Sequence, residues 1–318
     1  MSEFDFLQTT LNTLAVGGLY ALIALGYTLV YGILRFINFA HSDVVAWGGW
    51  ITFAVSGAAG WLVVGGAPVY GVVLVVIVAM VLCSALGVTI ERLAYRPLRN
   101  APRLNVLITA IGVSLFLQNV GLKLFGNRPQ SMAAEKALLV NVRLFTIGDV
   151  PIQLFHVLTI VLAVVLVVLL QWLVYGTRMG RAMRAVAFDE RIASLMGVNV
   201  NRVVTVTFAI GSALAAVGGI LAALRNDLQQ TAEATWVVLG LKAFVAAVVG
   251  GIGNVRGAAA GALLIAFVEQ FLHRFIIVVF PDKQWVQQLQ DIYVFGILIL
   301  VLLFRPSGLL GKGTVEKV

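Results

Sequence analysis

Long apolar segments repeat along almost the entire chain and are separated by short polar breaks. A helix needs roughly 20 mostly apolar residues to cross a bilayer, and inside lipid its backbone groups must hydrogen-bond within their own segment. The pattern therefore predicts an all-α polytopic membrane protein with about nine transmembrane helices, not a membrane β-barrel, whose strands would alternate apolar and polar residues. The predicted spans are residues 7–30, 33–57, 68–90, 105–126, 153–175, 203–224, 236–252, 258–280 and 288–304.

The composition agrees with this pattern. Of the 318 residues, 61% are hydrophobic and 11% are charged, whereas an ordinary soluble domain has roughly 25% charged residues. We expect residues 1–318 to form a single transmembrane domain, because the longest outer loop, residues 127–152, is too short for a catalytic domain. The first five residues include Glu3 and Asp5, whereas a secretory signal would carry Lys or Arg there, so we expect no cleaved targeting peptide.

The net charge of +8 comes largely from two short basic loops, residues 91–104 and 176–202. Short loops rich in Lys and Arg remain in the cytoplasm. An odd number of spans then places the N-terminus outside and the C-terminus, with Arg305, Lys312 and Lys317, inside. The positive charge is thereby explained by topology, and nucleic-acid binding is not indicated.

Two predicted spans contain polar or glycine-rich interruptions. Such interruptions at corresponding positions of two halves are typical of inverted repeats with broken helices near a central pathway. This interpretation predicts broken helices near residues 38–49 and 250–257, although the glycines could instead serve only close helix packing. The candidate translocation-pathway residues are Asn38, His41, Ser42, Asp43, Gly250, Gly251 and Gly253. For Ser42 and Asp43, an N-cap role at the start of a helix is an equal alternative.

Two further charged groups lie within predicted spans. Glu269 is one helical turn from His273, so these two side chains could pair, although such a pair more often marks only an outer helix end. Lys242 is expected to extend its ammonium toward the membrane surface from near a span end.

Residues 176–202 have the composition of a short amphipathic helix. Met183, Val186 and Ala187 share one face, and Gly197 is a plausible stop. A cytoplasmic helix of this kind, placed between two spans, is expected of a docking element for a soluble partner. The candidate docking residues are Gly180, Arg181, Arg184, Asp189, Glu190 and Gly197.

Enzyme motifs are absent from the sequence. There is no P-loop for ATP and no His-Glu-x-x-His zinc motif, and the three histidines are far apart. The single cysteine, Cys83, excludes an internal disulfide. We expect no catalytic residue, metal or cofactor.

Several long motifs resemble the inner-membrane permease subunits of ATP-binding-cassette (ABC) importers for branched-chain amino acids. They are GLYALIALGYTLVYGI at 18–33, INFAH at 37–41, ERLAYRPLR at 91–99, residues 180–202, GLKAFVAAVVGGIG at 240–253 and RPSGLLG at 305–311. The chain departs from the family pattern at Ser42-Asp43, where Gly-Glu usually follows the histidine. Asp43 keeps the carboxylate of the usual glutamate on a shorter side chain.

The resemblance implies a complex in the bacterial inner membrane. In it, the chain pairs with a second permease subunit, two cytoplasmic ATPases supply energy, and a periplasmic substrate-binding protein delivers the substrate. Residues 176–202 would then contact an ATPase. Three alternatives remain: the same importer class acting on urea, short amides or another small organic solute; an ion-coupled secondary transporter with His41 and Asp43 as a proton relay; and a non-transporting structural subunit.

Overall fold

A computed structural model describes residues 6–58, 69–99, 101–126, 130–131, 143–147, 150–225, 229–230, 235–279 and 290–311. These residues are predominantly helical, as predicted. The helices are α1 Phe6–Leu34, α2 His41–Ala58, α3 Val69–Ile90, α4 Arg103–Phe125, α5 Leu154–Gly176, α6 Arg178–Phe188, α7 Glu190–Leu195, α8 Val200–Arg225, α9 Thr235–Gly250, α10 Val255–Phe267, α11 His273–Val279 and α12 Gln290–Phe304. Four short strands are β1 Gln130–Ser131, β2 Arg143–Ile147, β3 Val150–Gln153 and β4 Gln229–Gln230.

Six helical stretches among the described residues are long and apolar enough to cross a membrane. They are Phe6–Leu34, Val73–Leu98, Leu104–Phe125, Leu154–Gly176, Val200–Arg225 and Val255–Ile276. The chain is therefore a multi-pass membrane protein. The other three predicted spans correspond to the shorter helices α2, α9 and α12, of 18, 16 and 15 residues, and the count of nine spans stays a prediction.

Helices α1 and α8 form the centre of the bundle. In the most apolar part of α1, 94% of the residues are buried, and in α8 the share is 72%, against 22% to 28% for the spans formed by α3, α4 and α5. Large apolar side chains on these outer helices, including Ile77, Phe116 and Val168, are exposed. Because lipid tails are as apolar as these side chains, such faces are compatible with direct contact with the bilayer.

Small residues bring α2 and α8 into close contact. A Cβ atom on Gly48 would lie 2.6 Å from the Cα of Ala216, and one on Gly219 would overlap the carbonyl oxygen of Val45. Side chains larger than hydrogen at these glycines would force the two backbones apart. Gly48 and Gly49 therefore serve helix packing, and α2 runs through them without a break.

Two helices change to π-helical geometry next to a buried glutamate. The segment Glu91–Tyr95 continues α3, and Val268–Leu272 joins α10 to α11. Both Glu91 and Glu269 are buried. Each carboxylate has a cationic partner, since Glu91 contacts Arg99 at 2.5 Å and Glu269 contacts Lys242 at 2.8 Å. Extra residues of this kind within a helix often mark functional positions.

The two ends of the bundle differ. Helices α6 and α7 lie at one end, which we call the α6–α7 end, together with the start of α8 and the end of α5. The short strands lie in connections at the opposite end of the bundle. There β1 pairs with β4 and β2 pairs with β3, and both pairs are antiparallel. The candidate residues are concentrated toward the α6–α7 end.

Candidate functional site

The chain leaves the helical path between α1 and α2, at residues 35–40. This differs from the predicted boundaries, because the second span was expected to start at residue 33 and to be interrupted between residues 38 and 49. Residues 33–34 instead belong to α1, Asn38 lies in the connection, and His41 to Ala58 form a continuous helix. The polar residues therefore mark the start of α2 and not an interruption within it.

The four polar candidates at this connection are all buried. Asn38, His41, Ser42 and Asp43 are between 2% and 5% exposed. The Ser42 hydroxyl donates to the Phe39 carbonyl oxygen over 3.0 Å. Asp43 lies in the first turn of α2, where a negative charge is favoured by the helix dipole.

Asp43 faces α4. Its Oδ1 accepts a hydrogen bond of 3.0 Å from the side-chain amide of Gln118, which also donates to the Ser114 hydroxyl. The second carboxylate oxygen, Oδ2, is buried and has no hydrogen-bond partner in the described part of the chain. A buried carboxylate oxygen without a donor is costly, so Oδ2 can still accept a hydrogen bond from a donor group outside the described residues. Gln118 and Ser114 could not be found from the sequence, because neither lies in a recognisable motif.

The ring of His41 packs against α1. Its ring contacts the ring of Tyr27 with centroids 4.6 Å apart, and Tyr27 in turn contacts Phe244 at 5.7 Å. A Cβ on Gly26 would overlap the imidazole, so this glycine makes the space that the ring occupies. Nε2 of His41 is buried without a described hydrogen-bond partner.

The predicted break at the second glycine run is present. Helix α9 ends at Gly250 and α10 begins at Val255. Gly251 and Gly253 have φ angles of +109° and +92°, which favour glycine. A Cβ on Gly32 of α1 would lie 3.4 Å from the Cα of Gly253, so this break and the connection after α1 both adjoin the second half of α1.

The contacts of Gly250 and Gly251 are with neighbouring backbone. A Cβ on Gly250 would overlap the carbonyl oxygen of Gly257, where α9 and α10 cross. Residues near the C-terminus close the end of α9, since the amides of Leu309 and Leu310 donate to the carbonyls of Val249 and Gly250 over 2.8 and 3.0 Å. Close packing therefore accounts for Gly250 and Gly251, and their role in a pathway stays a prediction.

The segment that was predicted to form one docking helix forms two, α6 and α7. Asp189 adopts an extended conformation after α6, and its Oδ1 accepts a 2.9 Å hydrogen bond from the amide of Ile192. Asp189 is thus the N-cap that starts α7, which turns the chain away from the path of α6. Gly197, with φ of +84°, follows the end of α7 as predicted.

The apolar face of this pair packs against the bundle. Met183 and Val186 are 3% exposed and contact a cluster that includes Val203 of α8 and Ile33 of α1. Gly180 lies against the last carbonyls of α5, which a Cβ would overlap. The Arg184 guanidinium donates to the carbonyl of Val174 and lies over the Tyr175 ring. Gly180 and Arg184 therefore fix α6 to α5, while Arg181 and Glu190 are exposed.

The outer surface of the α6–α7 pair carries large apolar side chains beside the charged residues that the sequence analysis named. Phe188, Leu195 and Met196 are 83%, 86% and 79% exposed, and Ile192 is 55% exposed. We call these four residues the apolar tip. Beside it is a groove of about 800 Å³ whose walls include Arg35, Phe188, Glu190 and Leu195. The apolar tip was not recognised in the sequence, because apolar residues are common everywhere in this chain.

Charged and polar side chains join α1, α9, α12 and the Val268–Leu272 segment. Lys242 Nζ contacts Glu269 Oε1 at 2.8 Å and Asp291 Oδ1 at 2.7 Å, and the Tyr20 hydroxyl donates to Glu269 Oε2 over 2.7 Å. Lys242 is therefore a partner in ion pairs between helices, and its extension toward the membrane surface stays a prediction. Glu269 contacts Lys242 and Tyr20, which the sequence did not predict, and its pairing with His273 stays a prediction.

Metal binding has no support in the described ranges. No three side chains of His, Cys, Asp or Glu within them lie close enough together to hold a metal ion. What the site offers chemically is a set of buried hydrogen-bonding groups at the start of α2 and an apolar surface on α6 and α7.

The chain is similar to known permeases over nearly its full length. It is 39% identical to the high-affinity branched-chain amino acid transport system permease protein BraD of Pseudomonas aeruginosa, over 99% of each chain. It is 38% identical to the corresponding LivH protein of Escherichia coli K12, over 98% of each. A 142-residue portion, 42% of this chain and 40% of the relative, is 28% identical to the probable branched-chain amino acid transport permease protein LivM of Methanocaldococcus jannaschii.

No solved structure matches the chain. The family model described as branched-chain amino acid transport system, permease component, matches residues 9–302. That range contains both chain breaks and the α6–α7 pair. The family resemblance of the sequence motifs is thus confirmed, and the chain belongs to the family of branched-chain amino acid transport system permease components.

Proposed function

We propose that this protein is the membrane-spanning permease subunit of an ABC importer that moves branched-chain amino acids into the cytoplasm. The observation that carries this proposal is the α6–α7 pair. Its inner face is packed on α1, α5 and α8, while its apolar tip is exposed at the end of the bundle. Exposed apolar surface of this kind in a polar setting is typical of a protein-binding site. The permease names of the similar proteins support the same role.

In this proposal the chain has no catalytic role of its own. Two cytoplasmic ATPases supply the energy, one of them bound at the apolar tip, and a periplasmic binding protein delivers the substrate at the other end. A second permease completes the membrane domain, and the similarity to both LivH and LivM supports two related permease types. Residues 1–318 act as a single permease domain in the bacterial inner membrane, with the N-terminus periplasmic and the C-terminus cytoplasmic.

Substrate passes beside α1 in this proposal. Asn38, His41, Ser42 and Asp43 line the cytoplasmic part of the path, and Asp43 Oδ2 accepts a hydrogen bond from the substrate ammonium. All four side chains are buried, so the path is closed here in the described structure. Movement of the ATPases would open it by changing the relative populations of two bundle conformations.

Residues 35–40 and 251–254 form two non-helical breaks in the chain. The bundle can bend there at a low cost in free energy, because no helical hydrogen bonds need to break. Both adjoin the second half of α1, which supports a shared role in opening the path. We propose that they belong to two repeats of inverted topology, as polar and glycine interruptions of spans favour, with nine spans in total.

The test is reconstitution of the whole importer in proteoliposomes. With ATP inside and the binding protein outside, we expect uptake of leucine that requires ATP, both permeases and both ATPases. Uptake by this chain alone down an ion gradient would contradict the proposal and favour a secondary transporter. Thermal stabilisation of the binding protein by urea and not by leucine would keep the importer class but change its substrate.

Docking at the apolar tip is tested by co-purification of the ATPases. Leu195→Ser removes exposed apolar surface from the tip, so we expect several-fold less ATPase to co-purify with the permease. The matched control is Leu144→Ser, which alters an exposed leucine on β2 at the other end of the bundle. Equal recovery of the ATPases with both variants would count against docking at the tip.

A further inference from the structure

Arg35 occupies an unusual backbone conformation directly after α1. Its φ is +53°, and in the described ranges it is the one non-glycine residue with a positive φ. Left-handed backbone is disfavoured for a side chain of this size. Its amide still donates to the Tyr31 carbonyl over 2.8 Å, so the left-handed residue ends α1 and redirects the chain.

The side chain of Arg35 reaches the end of α6. Its Nη2 donates to the carbonyl oxygens of Ala187 and Phe188 over 3.0 and 3.4 Å. These carbonyls belong to the last turn of α6, where the backbone groups lack partners within the helix and the helix dipole favours a cation. The connection after α1 is thereby attached to the α6–α7 pair, next to Phe188 of the apolar tip.

The same connection is attached on its other side to the buried start of α2. Three residues after Arg35, the Asn38 side-chain oxygen accepts a 2.6 Å hydrogen bond from Tyr95, and the His41 amide donates to the Asn38 carbonyl over 3.2 Å. Only five residues lie between Arg35 and His41. A displacement of α6 that carries Arg35 with it therefore pulls on a short connection that is held at Asn38 and at the first turn of α2.

The strength of the Arg35 contact depends on what covers it. Arg35 is exposed and lines the groove beside the apolar tip, and an exposed charge-assisted hydrogen bond is weakened by water. A protein bound over the groove would exclude that water and lower the local dielectric constant, which strengthens the bond. The attachment is thus weak in the isolated subunit and stronger when a partner is bound.

We propose that Arg35 is a positioning residue that transmits movement of the α6–α7 pair to the buried polar residues at the start of α2. This inference rests on the proposed importer function. It assigns to Arg35 the mechanical link between the ATPase-binding surface and the closed part of the path, a role that neither the charge pattern nor the motifs indicate.

The test measures leucine uptake and ATP hydrolysis together in proteoliposomes that contain the complete importer. Arg35→Gln removes the cation, and Arg35→Gly removes the whole side chain while allowing the positive φ. For both variants we expect the complex to assemble and to hydrolyse ATP. The amount of leucine moved per ATP should fall at least about fivefold, which is the lower end of the usual range of coupling between sites. Arg35→Lys, which keeps a cationic donor, should recover part of the ratio.

The matched control is Arg191→Gln. Arg191 lines the same groove but makes no hydrogen bond or ion pair within the described residues, so we expect a normal ratio of leucine to ATP. A normal ratio in Arg35→Gly, an equal loss in Arg191→Gln, or failure of the Arg35 variants to retain the ATPases would each overturn the link. Absence of ATP-driven uptake with the unaltered importer would instead contradict the proposed function.

Discussion

Single small residues decide how closely the helices of this protein approach one another. Gly48 and Gly219 lie where α2 crosses α8, and Gly26 makes room for the ring of His41. Between membrane helices there is little hydrophobic driving force, so van der Waals contact across small residues is a main source of stability. These glycines therefore contribute to the fold, and Gly26 also contributes to the position of His41.

This role of glycine can be tested by a matched pair of substitutions. Gly219→Ala places a methyl group against the carbonyl oxygen of Val45, so we expect it to destabilise the protein by about 1–3 kcal/mol. Gly112→Ala in α4 meets no atom within 4 Å and should be neutral or stabilising by up to about 1 kcal/mol. Thermal unfolding of the purified protein in detergent measures both, and equal melting temperatures would argue against tight packing at Gly219.

At the scale of elements, the α6–α7 pair depends on a cap more than on helix propensity. Helix α7 has six residues, which is too few to be stable without help from its surroundings. The Asp189 carboxylate supplies an N-cap bond to Ile192, and Ala193 packs toward α8. The orientation of Ile192 and Leu195 in the apolar tip follows from this cap.

We therefore predict that ATPase binding depends more on the N-cap hydrogen bond of Asp189 than on its charge. Asp189→Ala removes an N-cap worth about 1 kcal/mol, so less ATPase should co-purify with this variant. Asp189→Asn keeps a capping oxygen and should bind the ATPases as the unaltered protein does. If the Asn variant were as weak as the Ala variant, the charge and not the cap would be the important feature.

At the scale of the whole molecule, the proposed orientation places the short strands outside and the apolar tip inside. Accessibility to a membrane-impermeant maleimide tests it, in a Cys83→Ala background because Cys83 is the single native cysteine. Leu144→Cys, on β2, should react in intact spheroplasts. Leu195→Cys should react only after the membrane is permeabilised, and the opposite result would reverse the topology.

The hydrophobic pattern predicted the helical class and the approximate helix positions well, since each of the nine predicted spans overlaps a helix. It failed at particular residues. The break expected between 38 and 49 lies at 35–40, because Gly48 and Gly49 are packing positions within a regular helix. It also missed the two partners of Lys242, Glu269 and Asp291, because they lie on other helices and are distant in sequence.

The sequence by itself determined that the chain is a membrane protein, which family it resembles, and where an amphipathic element lies between two spans. These properties depend on composition, periodicity and contiguous motifs, which are local in the chain. Only the tertiary structure decided that Asp43 faces Gln118, that Phe188 and Leu195 are exposed, and that Arg35 contacts the end of α6. Such contacts join residues up to 153 positions apart, and the packing of the helices brings them together.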